Sequence, residues 1–178
     1  MPNTSKISIW ALLLIAISLS GYYVYNTTYN RAIISFAATP PPAVHPTDSA
    51  APVAIAIPSV NIDLPIEIGV IHNNIWSVSE FYANHLKTSA HPGTAGNIIV
   101  YGHDKPEIFE SLRTVQLGDR IELTTPSGQP HVYEVTQIYT TTPNDTEPIA
   151  QTATETLTVY TCDGVFNEKR FIIRAQPV

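Results

Sequence analysis

Sulfur is almost absent from this 178-residue chain: one methionine begins it, and Cys162 is its single cysteine. One cysteine cannot close an internal disulfide, so the fold has to rest on its core. Basic residues are scarce as well. Nine Lys and Arg against fifteen Asp and Glu leave a formal charge of −6, which argues against a dedicated nucleic-acid binder, because such proteins present a basic face. No internal repeat is visible.

Charge is missing altogether from one long stretch. Between Lys6 and Arg31 no side chain is charged, and residues 7–30 would extend roughly 36 Å as a helix. The denser apolar part, Ile7 to Val24, is near the lower limit for a bilayer span. Trp10 and the group Tyr22, Tyr23 and Tyr25 suit the two membrane interfaces. A cleaved signal peptide ending near Ser35 to Ala37 is the alternative, but that site lies far past the apolar run. The expectation is a transmembrane signal-anchor at 7–30 with a cytoplasmic N-terminus at 1–6, which places the remainder outside the cytoplasm at the cell membrane. Residues 31–53, carrying five prolines from Pro40 to Pro52, read as an extended spacer.

What remains, residues 54–178, is ample for one core. Its pattern is strand-like nearly throughout. The runs VAIAIP, LPIEIGV, GNIIVYGH, DRIELTT, HVYEVTQIYT, ETLTVYTC and RFIIRAQ are short, rich in Val, Ile, Thr and Tyr, and separated by turn residues. The expected fold is all-β, a barrel or sandwich, with one or two short helices. The helical candidate is Pro106 to Val115, which has Pro at its start and Ile108, Phe109 and Leu112 at helical spacing. The polar stretch Thr140 to Thr156 is long for a hairpin loop, a length common in functional loops.

Three chemically distinctive residues stand at strand ends: His103, Cys162 and Arg170. Alternation along a strand puts Leu157, Val159 and Thr161 on one face, and Thr158, Tyr160 and Cys162 on the other. With the more apolar face as core, Cys162 is expected toward a groove or the surface, and Arg170 likewise points away from Phe171 and Ile173. A thiolate is a strong nucleophile, a histidine can protonate a leaving amine, and an arginine fork can steady an oxyanion. Together they suggest acyl transfer through a thioester. A lone cysteine can equally be a small buried hydrophobe, which would fit a non-catalytic, membrane-tethered β-domain binding a surface partner.

The run from Gly96 through Asn97, Gly102 and His103 to Gly118 and Asp119, followed by TVYTC at 158–162 and Arg170, resembles the sortases, membrane-anchored cysteine transpeptidases of bacterial surfaces. The resemblance covers about residues 57–175, with Val159 in place of the leucine usual in the Thr-Leu-x-Thr-Cys motif. It implies a closed sortase-type β-barrel, with Cys162 as nucleophile, His103 as general acid/base and Arg170 as the oxyanion or substrate-carbonyl partner. Thr161 would help position substrate or fill the strand's inner face. The implied partners are secreted proteins bearing an LPxTG-like C-terminal sorting signal, and an amine from a peptidoglycan precursor or a pilin. L,D-transpeptidases also use Cys and His, but YTCDG lacks their Ser-x-Gly-Cys run.

No cofactor is implied. The calcium used by some sortases would have only Glu80, Asp145, Glu147 and Glu155 to hold it, too sparse for a hard cation, so no metal is expected. His45, His72, His85, His91 and His131 show no metal-ligand spacing. Asp104 and Asp163 read as solvated turn acids. The spacer segment HPTDSA has no aromatic residue beside Asp48, unlike the lids of pilin-assembling sortases, which leans toward protein anchoring.

Overall fold

The protein is described here by a computed structural model covering residues 9–37, 40, 42–43, 50–164 and 166–178, without the side chains of residues 9 and 26–33. Residues 1–6, His45 and Asp48 lie outside the described residues.

The described residues open with helix α1, Ile9–Ile33. Its described apolar side chains are exposed, among them Trp10, Leu14, Ile17 and Leu19. Among the described residues no helix is long and apolar enough to cross a membrane.

Ten strands follow: β1 (Ala54–Ile57), β2 (Ile62–Gly69), β3 (Ile71–His72), β4 (Ile75–Trp76), β5 (Ala83–Leu86), β6 (Gly96–Tyr101), β7 (Arg120–Thr124), β8 (Pro130–Thr141), β9 (Glu155–Asp163) and β10 (Lys169–Pro177). Eight of them close a barrel in the order β1-β2-β5-β6-β9-β10-β8-β7. All seven runs read as strands lie in it. Closure leaves no free edge for another chain to pair with.

Three short strands were not anticipated. β5 pairs parallel to β2, Ile66 opposite Ala83, and its sequence ANHL lacks the β-branched signature of a strand. β3 and β4 form a two-stranded hairpin, turned by Asn73 and Asn74 with φ of 50° and 61°, the left-handed pair that a tight hairpin needs.

The expected helix at Pro106 to Val115 is instead a series of turns ending in a 3-10 helix, Glu110–Thr114. The N–H of Phe109 donates to the carbonyl of His103, and those of Ile108 and Glu110 donate to Lys105. The chain therefore folds back on the end of β6 rather than winding regularly. Ile108, Phe109 and Leu112 are nonetheless buried, as their spacing required.

Two hydrophobic clusters flank the β6–β9–β10 sheet. The barrel interior holds Ile98, Val100, Leu157, Val159, Ile173 and their neighbours. A second cluster outside it holds Tyr101, Tyr160, Cys162 and Ile172 together with Trp76, Leu86, Ile34 and Phe36. Ile34 to Phe36 fall in the expected spacer, yet they are buried against the barrel.

Candidate active site

β6 and β9 run parallel, with Tyr101 opposite Tyr160. His103, just past the end of β6, and Cys162, within β9, therefore stand at the same offset from that pair. Across the antiparallel β9–β10 pair, Cys162 lies directly opposite Arg170, and directly opposed residues share a face of the sheet. Three residues separated in sequence thus converge at one end of three adjacent strands.

The end of β6 is tightly constrained. A Cβ at Gly102 would lie 2.9 Å from both Ile108 and Phe109, so only glycine lets the turn pack against the residue before His103. Thr161 is buried and donates its hydroxyl to the Gly102 carbonyl at 2.9 Å. Its side chain ties the two strand ends together.

Cys162 does not open to the surface as strand alternation suggested. Its relative exposure is 4%, because the face of β9 that carries it is covered in turn. Tyr101 and Tyr160 stack with centroids 5.5 Å apart, Trp76 packs edge-on to Tyr101, and Phe36 packs edge-on to Tyr160. Sequence periodicity identified the faces correctly but could not show that a remote segment and a hairpin cover the second one.

Arg170 is also buried, at 1% exposure. It donates from Nη1 to the carbonyls of Asn167 (3.0 Å) and Lys169 (2.8 Å). From Nη2 it donates to the carbonyl of Ser35 at 2.7 Å, and its guanidinium lies 5.9 Å from the Phe36 ring centroid. Tyr160 donates its hydroxyl to the neighbouring carbonyl of Ile34 at 3.1 Å. The segment Ile34 to Phe36 thus offers a peptide carbonyl to the arginine facing the thiol.

Burial pushes the Cys162 thiol up to about 11, with the charge of Arg170 pulling the other way. Burial also holds His103 below the ordinary histidine value, against the carboxylate of Glu80, which raises it. His103 Nε2 is buried without a hydrogen bond among the described residues and lies 3.7 Å from Glu80 Oε1. Its nitrogen is therefore not committed to a structural partner. The neutral pair, thiol with imidazole, dominates at rest.

Asp104 and Asp163 are not simply solvated. Arg113, in the 3-10 helix, bridges both of them and the Cys162 carbonyl. Neither this bridge nor the approach of Glu80 to His103 was anticipated, since each arises from turns meeting in space.

The four carboxylates considered for calcium have protein partners scattered over the barrel. Glu80 pairs with Lys105, Asp145 accepts from Thr141, Glu147 pairs with Arg174, and Glu155 accepts from Tyr133 and the Gly93 N–H. Among the described residues no group of three or more His, Cys, Asp or Glu could hold a metal ion. The remaining described histidines lie apart from the site in the chain; His85 is buried in β5, its Nε2 within 3.0 Å of the Ala90 carbonyl.

Solved structures with the same fold include sortase A from Corynebacterium diphtheriae, as a lid mutant. It is 30% identical with a TM-score of 0.62, over 75% of this chain and 74% of that one. A Clostridium perfringens sortase D5 transpeptidase is 27% identical with a TM-score of 0.62, over 76% and 82% of the two chains. Streptococcus pneumoniae sortase C is 26% identical with a TM-score of 0.61, over 70% and 65%. Among curated protein sequences none matches. The sequence model of the Sortase domain matches residues 55–178, the whole barrel with all three converging residues, and this chain belongs to the sortase family.

Proposed function

We propose that this protein is a cysteine transpeptidase that cleaves an LPxTG-like C-terminal sorting signal and transfers the secreted protein bearing it to an amine of the cell wall. The observation that carries this reading is the register that sets Cys162 opposite Arg170 and level with His103 across adjacent strands. A thiol, an imidazole and a guanidinium at one strand end are the groups that thioester chemistry needs.

The chemistry balances with these three alone. Cys162 gives its proton to His103 and attacks the threonine carbonyl of the signal. The oxygen, negative in the tetrahedral intermediate, is stabilised by Arg170. The Thr–Gly bond breaks as His103 returns the proton to the leaving amine, which leaves a thioester on Cys162. An incoming amine attacks that thioester, loses its proton to His103 and restores the thiol. A peptidoglycan-precursor amine is the acceptor proposed, with a pilin lysine as the variant. Because Arg170 already donates to the Ser35 carbonyl, a substrate carbonyl reaches it by displacing Ile34 to Phe36.

Residues 7–30 form the single-pass anchor, which sets residues 54–178 on the extracytoplasmic side of the cell membrane. Supporting this are the absence of charge between Lys6 and Arg31 and the exposed apolar side chains of α1. The test combines the purified chain with a labelled Leu-Pro-x-Thr-Gly peptide and candidate amines and identifies products by mass. Amine-linked peptide is expected, and no cleavage with any amine contradicts the reading.

A further inference from the structure

We propose that Arg113 is a positioning residue that clamps the turn carrying His103 to the end of β9 carrying Cys162, an inference that rests on Cys162 and His103 being the reacting pair. Asp104 directly follows His103, and Asp163 directly follows Cys162. β10 holds Cys162 and Asp163 opposite Arg170 and Lys169, but nothing in the ladder ties them to the turn after β6, because the last paired position between β6 and β9 is Tyr101 with Tyr160. Past that point the direct ties from one strand end to the other are the Thr161 hydroxyl on Gly102 and a 3.3 Å bond from the Gly102 N–H to the Tyr160 carbonyl.

Arg113 supplies the missing connection. Nη1 and Nη2 grip both carboxylate oxygens of Asp104, the second at 2.8 Å. Nη2 also reaches the Cys162 carbonyl at 3.2 Å, and Asp163 Oδ1 accepts from Nη2 at 3.2 Å and Nε at 3.3 Å. One planar group thus holds the residue after the base, the residue after the nucleophile and the nucleophile's own backbone. A lysine is a point charge on a flexible stem and cannot meet three acceptors in fixed directions.

Stability does not account for this arrangement. The side chains of Arg113, Asp104 and Asp163 are 34%, 24% and 25% exposed, and ion pairs at that exposure contribute little to folding. Position accounts for it better, because reacting atoms displaced by about 1 Å can cost a hundredfold in rate. The guanidinium also grips the Asp104 carboxylate, which would otherwise disfavour a thiolate. The charged and titratable groups around the thiol are His103 and Asp104 past the end of β6, Arg170 from β10, Asp163 on β9 itself, the phenol of Tyr160, and Arg113. Among them Arg113 favours the thiolate and Asp104 opposes it.

The test compares Arg113→Gln and Arg113→Lys in the full 178-residue chain. Peptide kinetics and the pH dependence of Cys162 alkylation by iodoacetamide are both measured. For Arg113→Gln the account expects kcat to fall about ten- to a hundredfold, with KM nearly unchanged and the alkylation midpoint moved to higher pH. Arg113→Lys keeps the charge but not the fork, so its alkylation midpoint stays near wild type while kcat remains low. Melting temperatures of both should stay close to that of wild type. Wild-type kcat in Arg113→Gln, recovery by lysine, or a loss confined to melting temperature would each overturn the clamp. If the wild-type chain itself fails to turn over peptide, the proposed activity falls instead. An alkylation profile unmoved in Arg113→Gln would then overturn the clamp on its own.

Discussion

The two faces of β9 are built in opposite ways. Leu157 and Val159 point into the barrel, among aliphatic side chains supplied largely by strands of the same barrel. Tyr160 and Cys162 point outward, into a cluster rich in aromatic rings and completed by Ile34, Phe36 and Trp76 from outside it. The inner face is closed by the fold itself. The outer face is closed by segments that are not strands of the barrel. On the proposed function, one strand carries stability on one side and chemistry on the other, separated by a single residue of alternation.

This comparison can be broken most severely at Arg170, the outer-face partner of Cys162. Arg170→Ala should lower turnover about a hundred- to a thousandfold, the range for losing one oxyanion donor. Arg170→Lys should recover little, because an ammonium does not reproduce the fork. Near-normal rates in either variant, measured with the labelled peptide, would remove Arg170 from the mechanism.

Inner-face damage should look entirely different. Leu157→Ala empties space in the barrel interior, and truncating a buried leucine costs roughly 2–5 kcal/mol. Urea denaturation should show that loss, while the fraction still folded should retain its turnover. A folded but inactive Leu157→Ala chain would mean that the two faces are not separable.

The pH profile sharpens the contrast, since burial on the outer face governs both titrating groups. With ordinary values near 8.5 for thiol and 6.5 for imidazole, about 1% of molecules would hold thiolate and imidazolium together between them. Here the thiol rises to about 11 and the imidazole falls, so the competent fraction is smaller still. The sign follows directly. At pH below the imidazole value the thiolate vanishes faster than imidazolium is gained, and above the thiol value the imidazolium is lost. Between the two limits the losses cancel, giving a broad plateau in kcat/KM with modest rates. Iodoacetamide, which needs only thiolate, should instead react faster with Cys162 all the way toward pH 11. Rapid alkylation near pH 5 would show a preformed ion pair.

The smallest effect belongs to the cover. Phe36→Ala weakens the packing of Ile34 to Phe36 on Tyr160 and Arg170. Apparent substrate affinity scales with the fraction of molecules whose site is open, so kcat/KM should rise a few-fold. A chain beginning at Ala54 removes the cover and should remain folded by circular dichroism and active. A fall in kcat/KM for Phe36→Ala would mean that the segment helps build the site rather than cover it.

Much of the barrel was legible because seven strands carry dense β-branched runs bounded by turn residues. Cys162, His103 and Arg170 stood out because each ends or begins such a run. β3, β4 and β5 escaped because two-residue strands and a run such as ANHL have no periodicity to detect. The burial of Cys162 escaped for a different reason. Alternation assigns a residue to a face, but only tertiary structure decides whether Phe36 or Trp76 covers that face. Arg113 was read simply as part of a helix, and its reach to Asp104 and Asp163 depends on that segment turning back toward β6.

The central claim is that Cys162 forms a thioester with a sorting-signal peptide. It is tested most directly by mixing the chain with a Leu-Pro-x-Thr-Gly peptide without any amine, quenching in acid, and mapping adducts by mass spectrometry. The account predicts an adduct of the peptide's N-terminal fragment, ending in threonine, on Cys162. The adduct should be discharged when amine is added and absent from a folded Cys162→Ala chain. Peptide cleavage by Cys162→Ala, or an adduct carried on any other residue, would contradict it.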